Sequence, residues 1–463
     1  MRGISSGRPL VSVIIPVYNA ADHLSRCLAS LAASTCSDYE CIVIDDASTD
    51  NSAAVAENSG ARVIRSPVNA GPATARNRAI LEANGPILLF LDSDVCVEPD
   101  TVQRVIDRFE KEPEADAVIG SYDDQPGQPD FLSQYRNLLH HFVHQHASED
   151  ASTFWSGCGA IRREVLRSCG GFDERFRRPS VEDIELGYRL KAEGRSIRLD
   201  KSLRVKHLKK WTIRDVIRTD IFQRGIPWSQ LILRHRDAPA DLNVKPSQRI
   251  SVVLLYLALL SCIAAGLRFG GQFLEPLLFA GYLVVANYRI YRWPRPGIGL
   301  TALELAGGFT ASVVVASALG ALHLIPGVAA GLAAITLQRY RLQARRPWPP
   351  AKVLSGFSAA AAIAAFAFLI AHWPLDPLTL TPVLLVGVLV VINAKLYSFL
   401  TRSHDLFFTI TAIPFHFLYF FYCGVCFGAG IVLHWTTKGF SPSNRSPAVN
   451  RGKYMRSKST SAS

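Results

Sequence analysis

Apolar residues are distributed in two different ways along this chain. Residues 1 to about 245 alternate short apolar runs with mixed stretches, whereas residues 250–434 are apolar, with charges confined to short breaks. Apolar runs of strand length, separated by stretches of helical periodicity, are typical of a mostly parallel sheet covered on both faces. We therefore expect an α/β domain followed by an all-α bundle of transmembrane helices.

The first half predicts strands and helices in alternation. The expected strands cover residues 10–17, 40–44, 63–64 and 87–91, and the expected helices cover 22–33 and 72–83. Asp45 and Asp46 follow one of these strands, and Asp92 and Asp94 follow another. In open α/β sheets, ligands bind beyond the carboxyl ends of the strands, so we expect a ligand there.

The second half predicts six or seven membrane spans. The candidates are residues 250–267, 273–288, 301–322, 324–337, 353–370, 380–397 and 406–433. A span needs ~20 apolar residues, so 273–288 and 324–337 are marginal. Buried helices of a soluble domain are excluded, because nothing polar enough remains to cover so many of them.

The basic residues predict which side of the membrane each break occupies. Arginines and lysines follow the second and fourth candidate spans, and the intervening breaks carry few. The positive-inside bias then places those breaks and the N-terminal half on the cytoplasmic side. No N-terminal signal peptide is predicted, since the segment of residues 1–9 is short and polar.

The net charge indicates which class of partner the protein binds, and the cysteines indicate the redox state of its compartment. The formal net charge of +12 favours anionic partners, and its clustering beside apolar segments favours membrane lipids over nucleic acid. Nine cysteines show no paired spacing, and Cys41 and Cys96 stand in apolar runs. We expect buried thiols in a reducing compartment, with no disulfide framework or zinc site.

These patterns predict four segments. They are an α/β domain over residues 1–205, a basic amphipathic interfacial segment over 206–249, the helices over 250–434, and a basic, disordered tail over 435–463. In the interfacial segment basic residues and Trp211 and Trp228 alternate with apolar ones, so we expect it to lie in the headgroup layer.

The strongest local chemical signal is Asp92-Ser93-Asp94. Two carboxylates one residue apart are by themselves more often part of a solvated turn. Their position after a buried strand, with Asp45 and Asp46 at another strand end, favours a divalent cation held against a diphosphate.

Six motifs resemble the family 2 glycosyltransferases in order, over residues 10 to about 235. They are VSVIIPVYN (11–19), IDDASTD (44–50), NAGPATARN (69–77), DSD (92–94), GCGA (157–160) with GGFDE (170–174), and Glu182-Asp183. The resemblance implies the GT-A fold, a nucleotide-diphosphate sugar donor, Mn²⁺ or Mg²⁺, and inversion at the anomeric carbon.

The resemblance also implies roles for individual residues. Pro16 lies in the nucleotide loop motif, Tyr18 and Asp46 would hold the base, and Asp92 the ribose. Asp94 would bind the metal, and His207 would complete its shell. Arg76 and the helix that begins at Pro72 could support the diphosphate charge.

Asp183 is the candidate general base, with Glu182 beside it as the other member of the family's catalytic pair. Each assignment has an alternative. Arg76 could form a surface ion pair, Glu182 and Asp183 could be the acidic first turn of an ordinary helix, and His207 could be a surface histidine.

Two further patterns bear on the function. The cluster His140, His141, His144 and His146 is interpreted as a solvated or interfacial helix face rather than as a metal site. Processive synthases of the family carry Q-x-x-R-W, which the sequence QRGIPW at residues 223–228 does not fit.

The sequence therefore favours a non-processive transferase that acts on a lipid-linked or glycan acceptor at the cytoplasmic face of the cell membrane. A processive synthase with an export channel, and a non-catalytic scaffold or transporter with a degenerate head, are the alternatives.

Overall fold

The computed structural model describes residues 8–235, 245–270, 281, 325–343, 360–361 and 376–438. The chain divides into two units, one formed by Met1–Pro129, Ser133–Pro246 and Tyr422–Ser463, and the other by Asp130–Leu132 and Ser247–Phe421. The first unit contains the sheet and all the motifs named above.

Eight strands of the first unit form one sheet in the order β3-β2-β1-β4-β7-β6-β8-β5. The strands are β1 (Val11–Val17), β2 (Tyr39–Asp45), β3 (Arg62–Arg65), β4 (Ile87–Leu91), β5 (Val95–Val97), β6 (Ala117–Tyr122), β7 (Cys158–Arg162) and β8 (Ile197–His207). The predicted strands correspond to β1–β4, which pair in parallel. β7 runs antiparallel to β4 and β6, whereas β6 and β8 pair in parallel.

Helices cover both faces of this sheet, as predicted. They are α1 (Ala21–Ala32), α2 (Ser52–Asn58), α3 (Pro72–Glu82), α4 (Thr101–Lys111), α5 (Phe131–Gln145), α6 (Arg163–Ser168), α7 (Glu182–Ala192), α8 (Ile213–Ile217) and α9 (Ile226–His235). Side chains of β1 and β4 alternate between two cores, because successive residues of a strand point to opposite faces. Leu89 packs in the core under α1 and α4, and Phe90 packs in the core under α3 and α7.

The domain extends beyond its predicted end at residue 205. β8 continues to His207 and pairs antiparallel with the short strand β5, with Val95 opposite His207. This register brings His207 next to the residues that follow β4, more than 100 positions earlier in the chain.

A π-helix, Arg218–Gly225, separates α8 from α9. Asp220 is buried in it and accepts hydrogen bonds from both terminal nitrogens of Arg136, at 2.8 and 2.7 Å, and from the hydroxyl of Tyr422. Pro227 has no N–H to give to the carbonyl of Gln223, four residues earlier. That carbonyl instead accepts from the Ser180 hydroxyl at 2.6 Å, which ties the π-helix to the loop before α7.

The two tryptophans of the segment expected to lie in the headgroup layer pack against the protein. Trp211 is only 7% exposed, and its backbone N–H donates to the Ser133 hydroxyl. Trp228 packs against α7 and donates to the hydroxyl of Tyr188 at 2.9 Å. The Trp228 indole packs inward because α7 offers its N–H a polar partner, which tryptophan requires when it is buried. The Trp211 ring lies against α5, with the Arg136 guanidinium 5.1 Å from its centroid.

The prediction of a solvated histidine face on α5 was also wrong, except at His146, which is exposed. His141 and His144 are buried, and their Nδ1 atoms donate to the carbonyls of Tyr122 and Gly120 in β6. Burial lowers the pKa of His144 to about 4 and that of His140 well below its usual value. The His140 and His144 rings are therefore neutral packing groups at physiological pH.

Among the described helices of the apolar half, Pro246–Phe269 and Leu406–Thr436 are long and apolar enough to cross a membrane. In the second unit, Leu255, Leu389 and Phe420 of three helices pack together. Ile325–Gln343 is also helical. The candidate spans 273–288, 301–322 and 353–370 lie almost wholly outside the described residues, as does the tail beyond Lys438. The helix Leu406–Lys438 includes residues 435–438, which were expected to begin the tail.

The candidate span 380–397 is not one straight helix. It consists of Pro377–Ile392 and Ala394–Ser403, bent by 65° at Asn393. The Asn393 side chain donates to the carbonyl of Leu389 and to the hydroxyl of Ser251. An amide that binds helix backbone in this way supports a break inside apolar surroundings.

Candidate active site

The loops after β1 and β2 form the first wall of the site. Asn19 accepts hydrogen bonds from the backbone N–H groups of Thr49, at 2.7 Å, and Asp50, at 3.3 Å. Asn19 and Ala47 have φ angles of 50° and 62°, a left-handed conformation that is uncommon outside glycine. They directly follow Tyr18 and Asp46, so each strained position is the neighbour of a predicted donor-binding residue.

Tyr18 and Asp46 differ in exposure. The Tyr18 side chain is 50% exposed, whereas Asp46 is 4% exposed and accepts from the backbone N–H groups of Ala70 and Gly71. Gly71 has a φ of 91°, and a Cβ there would lie 2.4 Å from the carbonyl oxygen of Arg177. Asp46 therefore fixes the loop that begins α3, and Pro16 lies partly exposed near the end of β1.

Arg76 links the end of β4 to the candidate catalytic pair, Glu182 and Asp183. Its two terminal nitrogens donate to Asp92 and to Glu182, each at 3.0 Å, and its guanidinium lies over the ring of Phe172. The side chains of Arg76 and Glu182 are only 4% and 6% exposed, so the surface ion pair considered for Arg76 is excluded. Burial opposes the charge of Arg76, but Asp92, Glu182 and Asp183 outweigh it and raise its pKa.

Asn77, the neighbour of Arg76, holds the GGFDE segment in place. It exchanges two hydrogen bonds of 2.8 Å with the backbone of Phe172 and donates to Glu174 at 3.0 Å. The third and fifth sequence motifs are therefore joined directly, although they lie about 95 residues apart.

Asp183 faces the loop before β7. It accepts from the backbone N–H and the hydroxyl of Ser156, both at 3.2 Å, and the next residue, Gly157, accepts from the Asp92 N–H. A Cβ on Gly187 would lie 2.3 Å from the Phe154 nitrogen, so this glycine lets α7 approach the loop. Burial and the charge of Glu182 raise the pKa of Asp183 to about 6.

Asp94 and His207 form the second pair of the site. Asp94 Oδ2 lies 3.5 Å from His207 Nε2, and the Leu208 N–H donates to the Asp94 carbonyl at 2.8 Å. The ring of Tyr122 stacks on the His207 imidazole, with centroids 4.2 Å apart and planes 9° apart. Burial opposes ionisation of Asp94, but His207 outweighs it and lowers the pKa of Asp94 to about 2.

This donor set fits a Mn²⁺ or Mg²⁺ ion that also binds a substrate. Among the described residues there is no group of three His, Cys, Asp or Glu side chains that could hold a metal. Two ligand atoms 3.5 Å apart can both reach one ion at about 2.1 Å, which leaves positions for phosphate oxygens and water. Ions of this kind are typically held by one or two protein ligands plus substrate phosphates.

Sequence reasoning missed three residues that shape the site, namely Tyr122, Ser156 and Phe172 in its packing role. The local sequence around Tyr122 is typical of an ordinary strand, and that around Ser156 is typical of a loop. The signal that could have found Ser156 is its position directly before the GCGA motif.

Replacing Arg76 with methionine should destabilise the protein by about 3–5 kcal/mol, because Glu182 stays buried without its partner. Thermal unfolding of the full chain in detergent measures this loss. Adding Glu182→Gln to the same chain should recover part of it. Arg78→Met is the control and should have a small effect, because Arg78 lies on the same helix and, within the described parts of the chain, bonds only to the Ser66 hydroxyl. An equal loss in both single variants would contradict the assignment.

The sequence and the structure are both similar to those of known glycosyltransferases. Residues 12–170 match the model of Glycosyl transferase family 2. Validoxylamine A glucosyltransferase of Streptomyces hygroscopicus subsp. jinggangensis (strain 5008) is 31% identical over 236 residues, which cover 42% of this chain and 54% of that protein. Poly(ribitol-phosphate) beta-glucosyltransferase of Bacillus spizizenii is 39% identical over 118 residues, 24% of this chain and 18% of that protein.

Among solved structures, the mannosyltransferase PcManGT from Pyrobaculum calidifontis in complex with GDP-Man and Mn²⁺ is 18% identical, with a TM-score of 0.35. The match covers 79% of this chain and 86% of that one. The chain spans about half the length of the validoxylamine relative. Over residues 12–170 this chain is thus similar to the proteins of glycosyl transferase family 2.

Proposed function

We propose that the protein is a membrane-bound inverting glycosyltransferase with a GT-A fold. It would transfer a sugar from a nucleotide-diphosphate donor to a lipid-linked or glycan acceptor. The observation that carries the proposal is the buried bridge from Asp92 through Arg76 to Glu182, with Asp183 beside it. Buried charges are costly, so a non-catalytic N-terminal domain would not be expected to retain a charged network of this kind.

In this proposal Asp183 acts as the general base. Its carboxylate takes the proton of the acceptor hydroxyl as that oxygen attacks the anomeric carbon from the side opposite the diphosphate. The bond from the anomeric carbon to the diphosphate oxygen breaks, and its electron pair leaves with the nucleoside diphosphate. Ser156 orients Asp183 through two hydrogen bonds.

The remaining residues hold the donor. Tyr18 is exposed and free to stack on the base, Asp46 orders the loop beneath it, and Asp92 accepts from the ribose. Arg76 acts through Asp92 and Glu182, because both of its terminal nitrogens already serve them.

Asp94 and His207 would hold Mn²⁺ or Mg²⁺, which when bound supplies positive charge to the leaving diphosphate. Their side chains are largely buried and lie at the ends of β4 and β8, which keeps the two ligand atoms together.

The acceptor and the location are proposed from the apolar half and the interfacial segment. On α8 and the π-helix, Ile213, Ile217 and Phe222 are exposed, and Arg214 and Arg218 lie beside them. Such a face suits anionic headgroups.

Transfer activity should remain with membranes after an alkaline carbonate wash, because the apolar helices would cross the bilayer. Release of the activity into the supernatant would contradict integral insertion.

The proposed activity is tested with the full chain in detergent, a panel of nucleotide sugars and Mn²⁺ or Mg²⁺. Wild-type protein should hydrolyse or transfer at least one donor, with chelation abolishing turnover. Asp94→Ala should lose at least 100-fold in rate, on the scale of a lost charge-stabilising group. Asp124→Ala, an exposed carboxylate of the same domain, is the control. Metal-independent turnover in both variants would reject the site.

Asp183→Asn should keep donor binding and lose transfer, since the amide cannot accept the proton. In the wild type, the carboxylate form is the active one, so kcat/KM should rise with pH and level off above about 6, the pKa of Asp183. Glu182→Gln removes a negative neighbour that raises this pKa, so the acid limb should move to lower pH. Equal transfer by Asp183→Asn and wild type would exclude Asp183 as base.

A further inference from the structure

Lys209 is a half-buried cation that none of the roles above uses. It follows Leu208, whose N–H donates to the Asp94 carbonyl at 2.8 Å and whose carbonyl accepts from Gln128 at 3.0 Å. These two bonds fix the backbone at Lys209 beside a candidate metal ligand. The Lys209 side chain therefore starts from an anchored position rather than from a loose loop.

The Lys209 ammonium lies against an aromatic face. Its Nζ is 4.1 Å from the centroid of the Trp211 ring, and Trp211 is itself buried. Across the described residues, no carboxylate or carbonyl forms a hydrogen bond or ion pair with this ammonium. A cation held by an aromatic ring and lacking an anionic partner is poised to receive one from a ligand.

The charge of the site indicates which ligand that is. Four carboxylates (Asp92, Asp94, Glu182, Asp183) stand with the guanidinium of Arg76, and the charge of Arg224 also acts on Asp183. These charges leave no surplus of positive charge. A divalent ion only offsets the charge of the diphosphate, and one further negative charge develops on the diphosphate when the sugar leaves. A second cation beside Asp94 would balance that charge.

The backbone contact between Leu208 and Asp94 places Lys209 beside this centre. The Lys209 side chain is only partly exposed. A partly desolvated ammonium attracts an anion such as a diphosphate more strongly than one in bulk water.

We propose that the Lys209 ammonium binds a phosphate oxygen of the donor diphosphate and stabilises the nucleoside diphosphate as it leaves. This inference rests on the proposed function. The ammonium donates hydrogen bonds and keeps its proton, while the electron pair of the broken bond stays on the diphosphate oxygen. Trp211 holds the ammonium in place before the donor arrives.

The test uses isothermal titration of the full chain in detergent and Mn²⁺ with UDP, GDP and inorganic pyrophosphate. Lys209→Met keeps the length of the side chain and removes its charge. It should weaken binding of pyrophosphate and of the preferred nucleoside diphosphate by about 10- to 100-fold, the value of one charged hydrogen bond. Lys209→Arg should keep most of the affinity.

Lys210→Met is the matched control, since Lys210 is the exposed neighbour on the same segment. It should bind all three probes as the wild type does. Titration of Mn²⁺ alone, followed by electron paramagnetic resonance, should show no loss of affinity in Lys209→Met, because Lys209 is not a metal ligand. If Lys209→Met does not fold, Lys209→Gln takes its place.

The outcomes separate this inference from the proposed function. Equal probe binding by Lys209→Met and Lys210→Met would overturn the role of Lys209 and leave the transferase proposal standing. A rise in acceptor KM with unchanged probe binding would overturn it too, and would assign Lys209 to an anionic acceptor. Wild-type protein that binds none of the probes with Mn²⁺ would overturn both proposals.

Discussion

The buried guanidinium of Arg76 is the constraint on which the site depends. It carries charge in a place almost closed to water, so it is stable there only while Asp92 and Glu182 remain within hydrogen-bonding distance. Those two carboxylates belong to the end of β4 and the start of α7. The guanidinium thus forces the two elements to meet, and with them Asp94 and Asp183, which follow in the chain.

Backbone contacts extend this constraint to the rest of the site. Gly157 and Ser156 bind Asp92 and Asp183 from one loop, so the residues after β4 and the start of α7 cannot move independently. The Ser180 hydroxyl couples the loop before α7 to the π-helix as well. It donates to the Gln223 carbonyl, which Pro227 leaves without a backbone donor. A displacement of the π-helix would therefore also move the loop before Glu182 and Asp183.

Two buried histidines show why a surface prediction failed here while core predictions succeeded. Periodicity ranks His141 and His144 as polar, but each finds a strand carbonyl in β6 and becomes buried. Trp211 and Trp228 likewise pack inward, against α5 and α7. Whether an amphipathic side chain faces lipid, water or protein depends on the partner available to it, and the local sequence carries no information about that partner.

The sequence by itself determined the strands β1 to β4, the helices α1 and α3, and the carboxylates at the strand ends. These follow from apolar periodicity and from turn residues such as Pro72, which act over a few neighbouring positions. Only the tertiary structure decided that Arg76 is buried between Asp92 and Glu182, or that His207 lies opposite Val95. Strand register and the burial of a charge depend on residues far apart in the chain, and local pattern cannot encode distances of that kind.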